Sequence, residues 1–152
     1  MTTESSIEGP AGDATADGSD EILQLFHRWN EALTAGHAER VAGLYGPGAI
    51  LVPTLSNTLR TTPGEILAYF EKLIADLKPS VTLDSDDVRM FGSTAINSGL
   101  YTFHFGDGSE AEARYTFAYH RSGGHWLISA HHSSVLADEL PADRAAILAP
   151  SF

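Results

Sequence analysis

The sequence contains no cysteine among its 152 residues. Disulfide bridges, thiolate metal sites and cysteine nucleophiles are therefore excluded. Basic residues are also scarce, because 9 Lys and Arg stand against 20 Asp and Glu, which gives a formal net charge of -11. A surface of that sign repels phosphate backbones, so we expect no nucleic-acid partner.

Long apolar runs are missing as well. No run approaches the roughly 20 residues that a helix needs to cross a bilayer, so we expect no membrane partner. The opening stretch MTTESSIEGPAGDATADGSD lacks the basic start and the apolar centre of a secretory signal. These absences predict a cytoplasmic protein. The hydrophobic fraction of 43% and the charged fraction of 19% are typical of one globular domain.

The composition divides the chain into three parts. Residues 1–19 are rich in Gly, Ser, Thr, Ala and acidic residues, which predicts a disordered acidic tail. Residues 20–137 contain the apolar periodicities of a folded domain. Residues 138–152 are predicted to form a C-terminal tail or a short helix.

Within the domain, helical patterns come first. Ser19 or Asp20 is expected to cap a first helix, which Gly36 ends, and the apolar residues between them recur at helical spacing: Ile22, Leu25, Phe26, Trp29 and Leu33. HAERVAGLYGPGA indicates a short second helix, and AILVP a short strand. In TPGEILAYFEKLIADLKP, Thr62, Pro63 and Glu65 form a capping box at the start of a further helix.

After Pro79 the period changes from that of helices to that of strands. Four β-rich runs follow, separated by the turn signals GS, GDG and SGG. Helices followed by an antiparallel meander predict an α+β fold. We expect the amphipathic helices to lie on a strongly curved antiparallel sheet and to close a cone with an interior pocket.

Two segments give the sequence a specific resemblance: LVPTLSNTLRTTPGEILAYFEKLI in the middle and HRSGGHWLISAHHSSVL near the end. Together they resemble the NTF2-like superfamily and, within it, the calcium/calmodulin-dependent protein kinase II association-domain family. The small stand-alone bacterial members, of the SgcJ/EcaC or DUF4440-like type, are the most similar subgroup. The resemblance covers roughly residues 20–137.

The resemblance implies a homo-oligomer, at least a dimer, built through the outer face of the sheet. It also implies a polar pocket for a small anionic ligand such as a carboxylate. It does not imply kinase activity, because the sequence has no Gly-rich phosphate loop and no kinase catalytic-loop motif. The eukaryotic association domain has an arginine where this chain has Ser133, so the sequence departs from the family there.

The stretch SAHHSS holds two adjacent histidines in the last predicted strand. Neighbours in a strand point to opposite faces, so His132 and Ser134 are predicted to share the inner face with Trp126. His131 is predicted to face an interface or solvent. The two histidines therefore cannot both bind one metal ion without a bulge in the strand, and we predict neither a metal nor a cofactor. His132 is either a core histidine with a hydroxyl partner or a pocket donor or base.

Other candidate residues lie on the remaining elements. Arg114 is mid-strand and is either an outward ion-pair partner or a pocket arginine, which the sequence leaves open. The aromatic residues Trp29, Tyr69 and Tyr101 are typical of a core, and one or two of them are expected to line the cone mouth. The acidic cluster at 84–87 is interpreted as a solvated turn.

Three functions are compatible with these patterns. The first is a self-associating module with an interior ligand pocket formed by His132, Arg114, Ser134, Tyr101, Trp29 and Tyr69. The alternative is a small enzyme that uses His132 as an acid or base, although no inward carboxylate stands out in the sequence. The third is a pure scaffold, which needs only the oligomer face.

Overall fold

The computed structural model describes residues 18–136. The predicted tail before residue 18 and the predicted segment 138–152 lie outside these residues. The elements, in chain order, are helices α1 (Ser19–Thr34) and α2 (Ala38–Ala42), strand β1 (Tyr45–Val52), helix α3 (Pro63–Leu77), and strands β2 (Ser80–Phe91), β3 (Thr94–His104), β4 (Glu110–Ser122) and β5 (His125–Val135).

The helix ends follow local chemistry. The Thr62 hydroxyl accepts a hydrogen bond from the Glu65 backbone N–H at 3.2 Å, and Pro63 occupies the first turn, so the predicted start of α3 is confirmed. The Glu65 carboxylate accepts from the backbone N–H of Thr61 at 2.9 Å. The prediction that Ser19 or Asp20 caps α1 is wrong. The N-cap residue is Gly18, which has a left-handed conformation, and no side-chain hydrogen bond caps the helix.

The sheet has the order β1-β5-β4-β3-β2. Strands β2 to β5 pair as the predicted antiparallel meander, and β1 adds to the β5 edge in parallel. The sheet is curved and unclosed, so the predicted α+β class is confirmed. None of the helices between residues 18 and 136 combines the length and apolar character that a membrane span requires.

The core lies between the helices and one face of the sheet. Phe26 and Trp29 of α1 contact Phe117 of β4 with ring centroids 6.1 and 5.5 Å apart, and Trp29 stacks on Tyr101 of β3. Phe70 of α3 meets Trp29 edge-on from the other side. Aromatic rings therefore fill most of the space that the curved sheet encloses.

The register shifts between β1 and β5, and bulges interrupt the register of β2 and of β5. One adds a residue to β2 between Leu83 and Ser85, and the other adds a residue to β5, where Ala118 pairs with Ala130 but Tyr119 pairs with Ile128. A bulge bends its strand and moves the side chains beyond it to the opposite face. The bulge in β5 has consequences for the candidate site.

The bulge in β2 predicts a sharp requirement for glycine at position 99. A Cβ at Gly99 would overlap the Ser85 carbonyl oxygen and lie 3.0 Å from the Asp86 Cα. We expect Gly99→Ala to lower the free energy of unfolding by about 1–3 kcal/mol. Gly64 in α3 has open space around its Cβ position, so Gly64→Ala is a matched control that should raise stability by about 0.4–1 kcal/mol. Urea denaturation measures the free energy of unfolding of both variants. Equal changes in the same direction would contradict the close approach of Gly99 to the Ser85 carbonyl.

Candidate functional site

The β5 bulge reverses the predicted orientation of the two histidines. Before the bulge Trp126 and Ile128 are buried, but after it His131 and Ser133 are buried, at 3% and 4% exposure. His132 is exposed and lies on the outer face. The prediction that His132 faces the interior was wrong, because it assumed strict alternation and the extra residue at Ser129 breaks it.

Ser134 and Arg114 also lie on the outer face. The Arg114 side chain is exposed, and its Nε donates a hydrogen bond to the Ser134 Oγ at 3.3 Å. Of the two predicted positions of Arg114, outward or in the pocket, the structure shows the outward one. The reason is that β4 alternates without interruption and buries Tyr115 and Phe117. The prediction that Ser134 faces the interior was wrong for the same reason as for His132.

The interior site centres on His131, whose two ring nitrogens each meet a tyrosine hydroxyl. Nδ1 lies 2.8 Å from the hydroxyl of Tyr45, and Nε2 lies 3.1 Å from that of Tyr101. The Trp29 Nε1–H donates to the Tyr45 hydroxyl at 3.2 Å. The imidazole thus joins residues of α1, β1, β3 and β5 in one buried cluster.

The hydrogen bonds continue from Tyr101 toward the loop after β1. The Tyr101 hydroxyl donates to the Ser133 Oγ at 2.7 Å, and Ser133 bonds to the hydroxyl of Thr54. Because the single proton of Tyr101 is directed to Ser133, His131 must donate its Nε2–H to Tyr101. The Tyr45 proton then meets Nδ1, so His131 is a neutral imidazole protonated on Nε2.

The cluster is uncharged at neutral pH. Burial, with a smaller contribution from the charge of the neighbouring His132, lowers the pKa of His131 to about 3. Burial raises the pKa of the Tyr101 hydroxyl well above its ordinary value, and that of the Tyr45 hydroxyl as well. The imidazole also stacks on the Phe117 ring at a centroid distance of 3.9 Å, an apolar neighbour that favours the neutral form.

A cavity of about 10 Å³ adjoins this cluster, which is about the space that one water molecule needs. The structure brings together three of the residues predicted to line a pocket, Trp29, Tyr69 and Tyr101, around it. Within the described chain, no Asp, Glu, Lys or Arg lines this cavity. The interior is therefore polar but uncharged, and its free volume is small.

A groove of about 630 Å³ lies outside the cavity, between the loop that follows β1 and the exposed side of α3. Tyr69 and Leu73 line both the groove and the cavity, so they separate the two spaces. The Arg60 guanidinium lies over the Tyr69 ring at 5.1 Å, and its Nη1 donates to the Ser56 Oγ at 3.0 Å. A cation–π contact at such a partly exposed site contributes about 0.5–1 kcal/mol.

Sequence reasoning missed several residues of this arrangement. His131 and Ser133 were assigned to the wrong face, Tyr45 was assigned to the short second helix although it begins β1, and Arg60 was not considered. Tyr45 lies 86 positions from His131 and meets it only because β1 adds to β5 in parallel. Thr54 lies in the PTLS segment that contributes to the family resemblance, which is the one signal that could have drawn attention to it. In residues 18–136 no three His, Asp or Glu side chains come close enough to hold a metal ion.

The lowered pKa of His131 predicts a specific dependence of stability on pH. The folded protein takes up a proton at His131 only near pH 3, whereas the unfolded chain does so near the ordinary value of 6.5. The unfolded state therefore binds more protons between these values, so the stability due to neutral His131 is present above pH 6.5 and is lost as the pH falls toward 3. In this range the free energy of unfolding falls by up to about 1.4 kcal/mol for each pH unit.

Paired variants isolate this contribution. His131→Gln retains a hydrogen-bonding side chain without a titratable group, and should flatten the fall in stability between pH 6 and 4 as measured by urea denaturation. His132→Gln, one residue along the strand and exposed, should keep the slope of the parent protein. If the slope fell in His132→Gln and persisted in His131→Gln, the assignment of the buried histidine would be wrong.

Known proteins share this fold and this order of elements. No curated protein is similar enough to count as a match. A proposed calcium/calmodulin-dependent protein kinase II association domain from Xanthomonas campestris is 36% identical with a TM-score of 0.76, and the match covers 91% of this chain and 99% of that one. An NTF2-like protein of unknown function from Pseudomonas putida is 23% identical with a TM-score of 0.72, covering 84% and 98% of the two chains.

A proposed dehydratase of the NTF2-like family from Streptomyces avermitilis is 18% identical with a TM-score of 0.70, and the match covers 77% of this chain and 94% of that one. Its likeness, and that of the Pseudomonas protein, concerns the fold alone. The sequence profile described as the calcium/calmodulin-dependent protein kinase II association domain matches residues 18–137. The chain therefore belongs to the calcium/calmodulin-dependent protein kinase II association-domain family.

Proposed function

We propose that the protein is a self-associating module that binds a small polar ligand in the interior between sheet and helices. The observation that carries the proposal is the buried His131 cluster beside a cavity. Hydroxyl and imidazole groups cost free energy when they are removed from water, and apolar side chains would fill the same space at no such cost. Their position beside the cavity, with a large groove behind Tyr69, supports a binding role.

Catalysis is less well supported than binding. The enzyme hypothesis relied on His132, which lies on the outer face. His131 has both nitrogens engaged by tyrosines and a pKa of about 3, so it is a weak base at neutral pH. No carboxylate lines the cavity in the described part of the chain. A reaction of the dehydratase kind would need an acid and base pair that this interior does not provide.

A panel of small alcohols, amides, ketones and carboxylates tests the binding role by thermal unfolding. A ligand at a hundredfold excess over its Kd stabilises the folded state by about 2.7 kcal/mol, which raises Tm by several degrees. We expect at least one compound to do so, with the effect reduced in Ser133→Ala and retained in His132→Ala. If no compound on the panel changed Tm, the binding function would be rejected.

The outer face of the sheet supports the self-association part of the proposal. Across the strands, Ile96, Ala118, Ala130 and Ile50 form one row on this face, since each pairs with the next. The row is made of small and apolar side chains, and Ile50 is 42% exposed. The family of association domains to which the chain belongs also favours contact between copies of the chain. A second copy would remove this row from water.

A charge in the middle of this row should disrupt such a contact. Ala118→Glu is expected to convert the protein from a dimer or larger oligomer to a monomer in light scattering coupled to size exclusion, because each copy would bury an unpaired carboxylate. Ala75→Glu, an equal change on the exposed side of α3, is the control and should leave the mass unchanged. A parent protein that is monomeric at high concentration would contradict self-association.

A further inference from the structure

The cavity and the groove are two parts of one space divided by side chains. Tyr69 and Leu73 line both, so the ring of Tyr69 lies between the solvent side and the Tyr101, Ser133 and Thr54 hydroxyls. The groove has a volume of about 630 Å³, which is in the range of small-molecule sites, whereas the cavity of about 10 Å³ is not. A ligand that moves from the groove to the hydroxyls must therefore displace the side chain of Tyr69.

Tyr69 is held by contacts that a ligand can replace. Its ring meets Phe70 edge-on at 5.2 Å and lies under the Arg60 guanidinium. The loop that faces it presents Leu55 and Leu59 at 46% and 51% exposure. An apolar ligand in the groove would cover these leucines and offer its own ring to Arg60 in place of Tyr69.

The distribution of charge decides what the inner end of the ligand is. Thr54 and Ser133 offer neutral hydroxyls whose protons can rotate toward an acceptor. Arg114 lies on the opposite face of the sheet, and Arg60 and Lys72 line the groove but not the cavity. A carboxylate placed against the hydroxyls would be buried without a counter-charge, which is strongly unfavourable, whereas a carbonyl oxygen would not.

We propose, building on the interior binding function above, that the ligand is a flat, uncharged carbonyl compound such as an aryl ketone. It enters from the groove, displaces the Tyr69 side chain and accepts hydrogen bonds from the Ser133 and Thr54 hydroxyls. The apolar ring of the ligand then occupies the position of the Tyr69 ring, between Leu73 and the leucines of the loop. This selectivity differs from the anionic ligand that the family resemblance implied.

Two probes with the same ring separate the neutral ligand from the anionic one. 4-Fluoroacetophenone and 4-fluorobenzoate are titrated into the full-length protein near neutral pH, and the fluorine resonance of each reports binding. We expect the ketone to bind about tenfold or more tightly than the carboxylate, because only the carboxylate has a charge to desolvate.

Matched variants place the ketone in the interior. Thr54→Val and Ser133→Ala should each weaken ketone binding by about two- to tenfold, the effect of one hydrogen bond. Thr116→Val makes the same change as Thr54→Val on the outer face, where Thr116 is exposed, and should leave binding unchanged. Tyr69→Ala should raise both the association and the dissociation rate of the ketone, because the ring that separates the groove from the cavity is removed.

The outcomes distinguish this inference from the proposed function. Tighter binding of the benzoate, lost in Arg60→Gln, would overturn the neutral ligand and leave an interior or groove binding function in place. Ketone binding that is unchanged in both Thr54→Val and Ser133→Ala would also overturn it, because the ligand would then lie outside the cavity. Absence of ketone binding at millimolar concentration overturns the inference, and a thermal panel without any response overturns the proposed function as well.

Discussion

The hydrogen bonds of the buried His131 connect strands that lie far apart in the sequence. The imidazole bonds to Tyr45 on the parallel edge strand and to Tyr101 in the centre of the sheet, and Trp29 of the first helix closes the cluster. With the Tyr101 proton directed to Ser133, a neutral ring with its proton on Nε2 satisfies both nitrogens. Protonation would add a second N–H donor to the ring, at Nδ1, where it would face the Tyr45 hydroxyl. It would also place a positive charge against Phe117.

The sheet separates charged from uncharged chemistry. On its inner face the polar groups are hydroxyls, an imidazole held neutral and the buried Asn97. On its outer face lie His132 and Arg114, both exposed. Among residues 18–136 the buried polar side chains are those of Asn97, Thr102, His131 and Ser133, so no Asp, Glu, Lys or Arg is buried there. Such a division supports the proposals of an uncharged ligand inside and of contacts between copies on the outer face.

Local patterns were sufficient to predict most of the elements. Thr62, Pro63 and Glu65 predicted the start of α3, because a cap and its partner lie within one turn and depend on no distant contact. The glycine-containing turns predicted the meander, and β4 alternates without interruption, with Tyr115 and Phe117 buried. The aromatic residues Trp29 and Tyr101 were predicted as core or pocket lining, and they meet in parallel stacking.

The sequence by itself determined the α+β class and the aromatic filling of the interior, since both follow from local periodicity and composition, and its resemblance to known sequences indicated the family. Only the tertiary structure decided which histidine faces inward. The extra residue at Ser129 arises from how β5 pairs with β4, and a pairing register is not a property of β5 alone. In SAHHSS the two histidines are chemically equal, and one bulge makes the first a buried neutral imidazole and the second an exposed one.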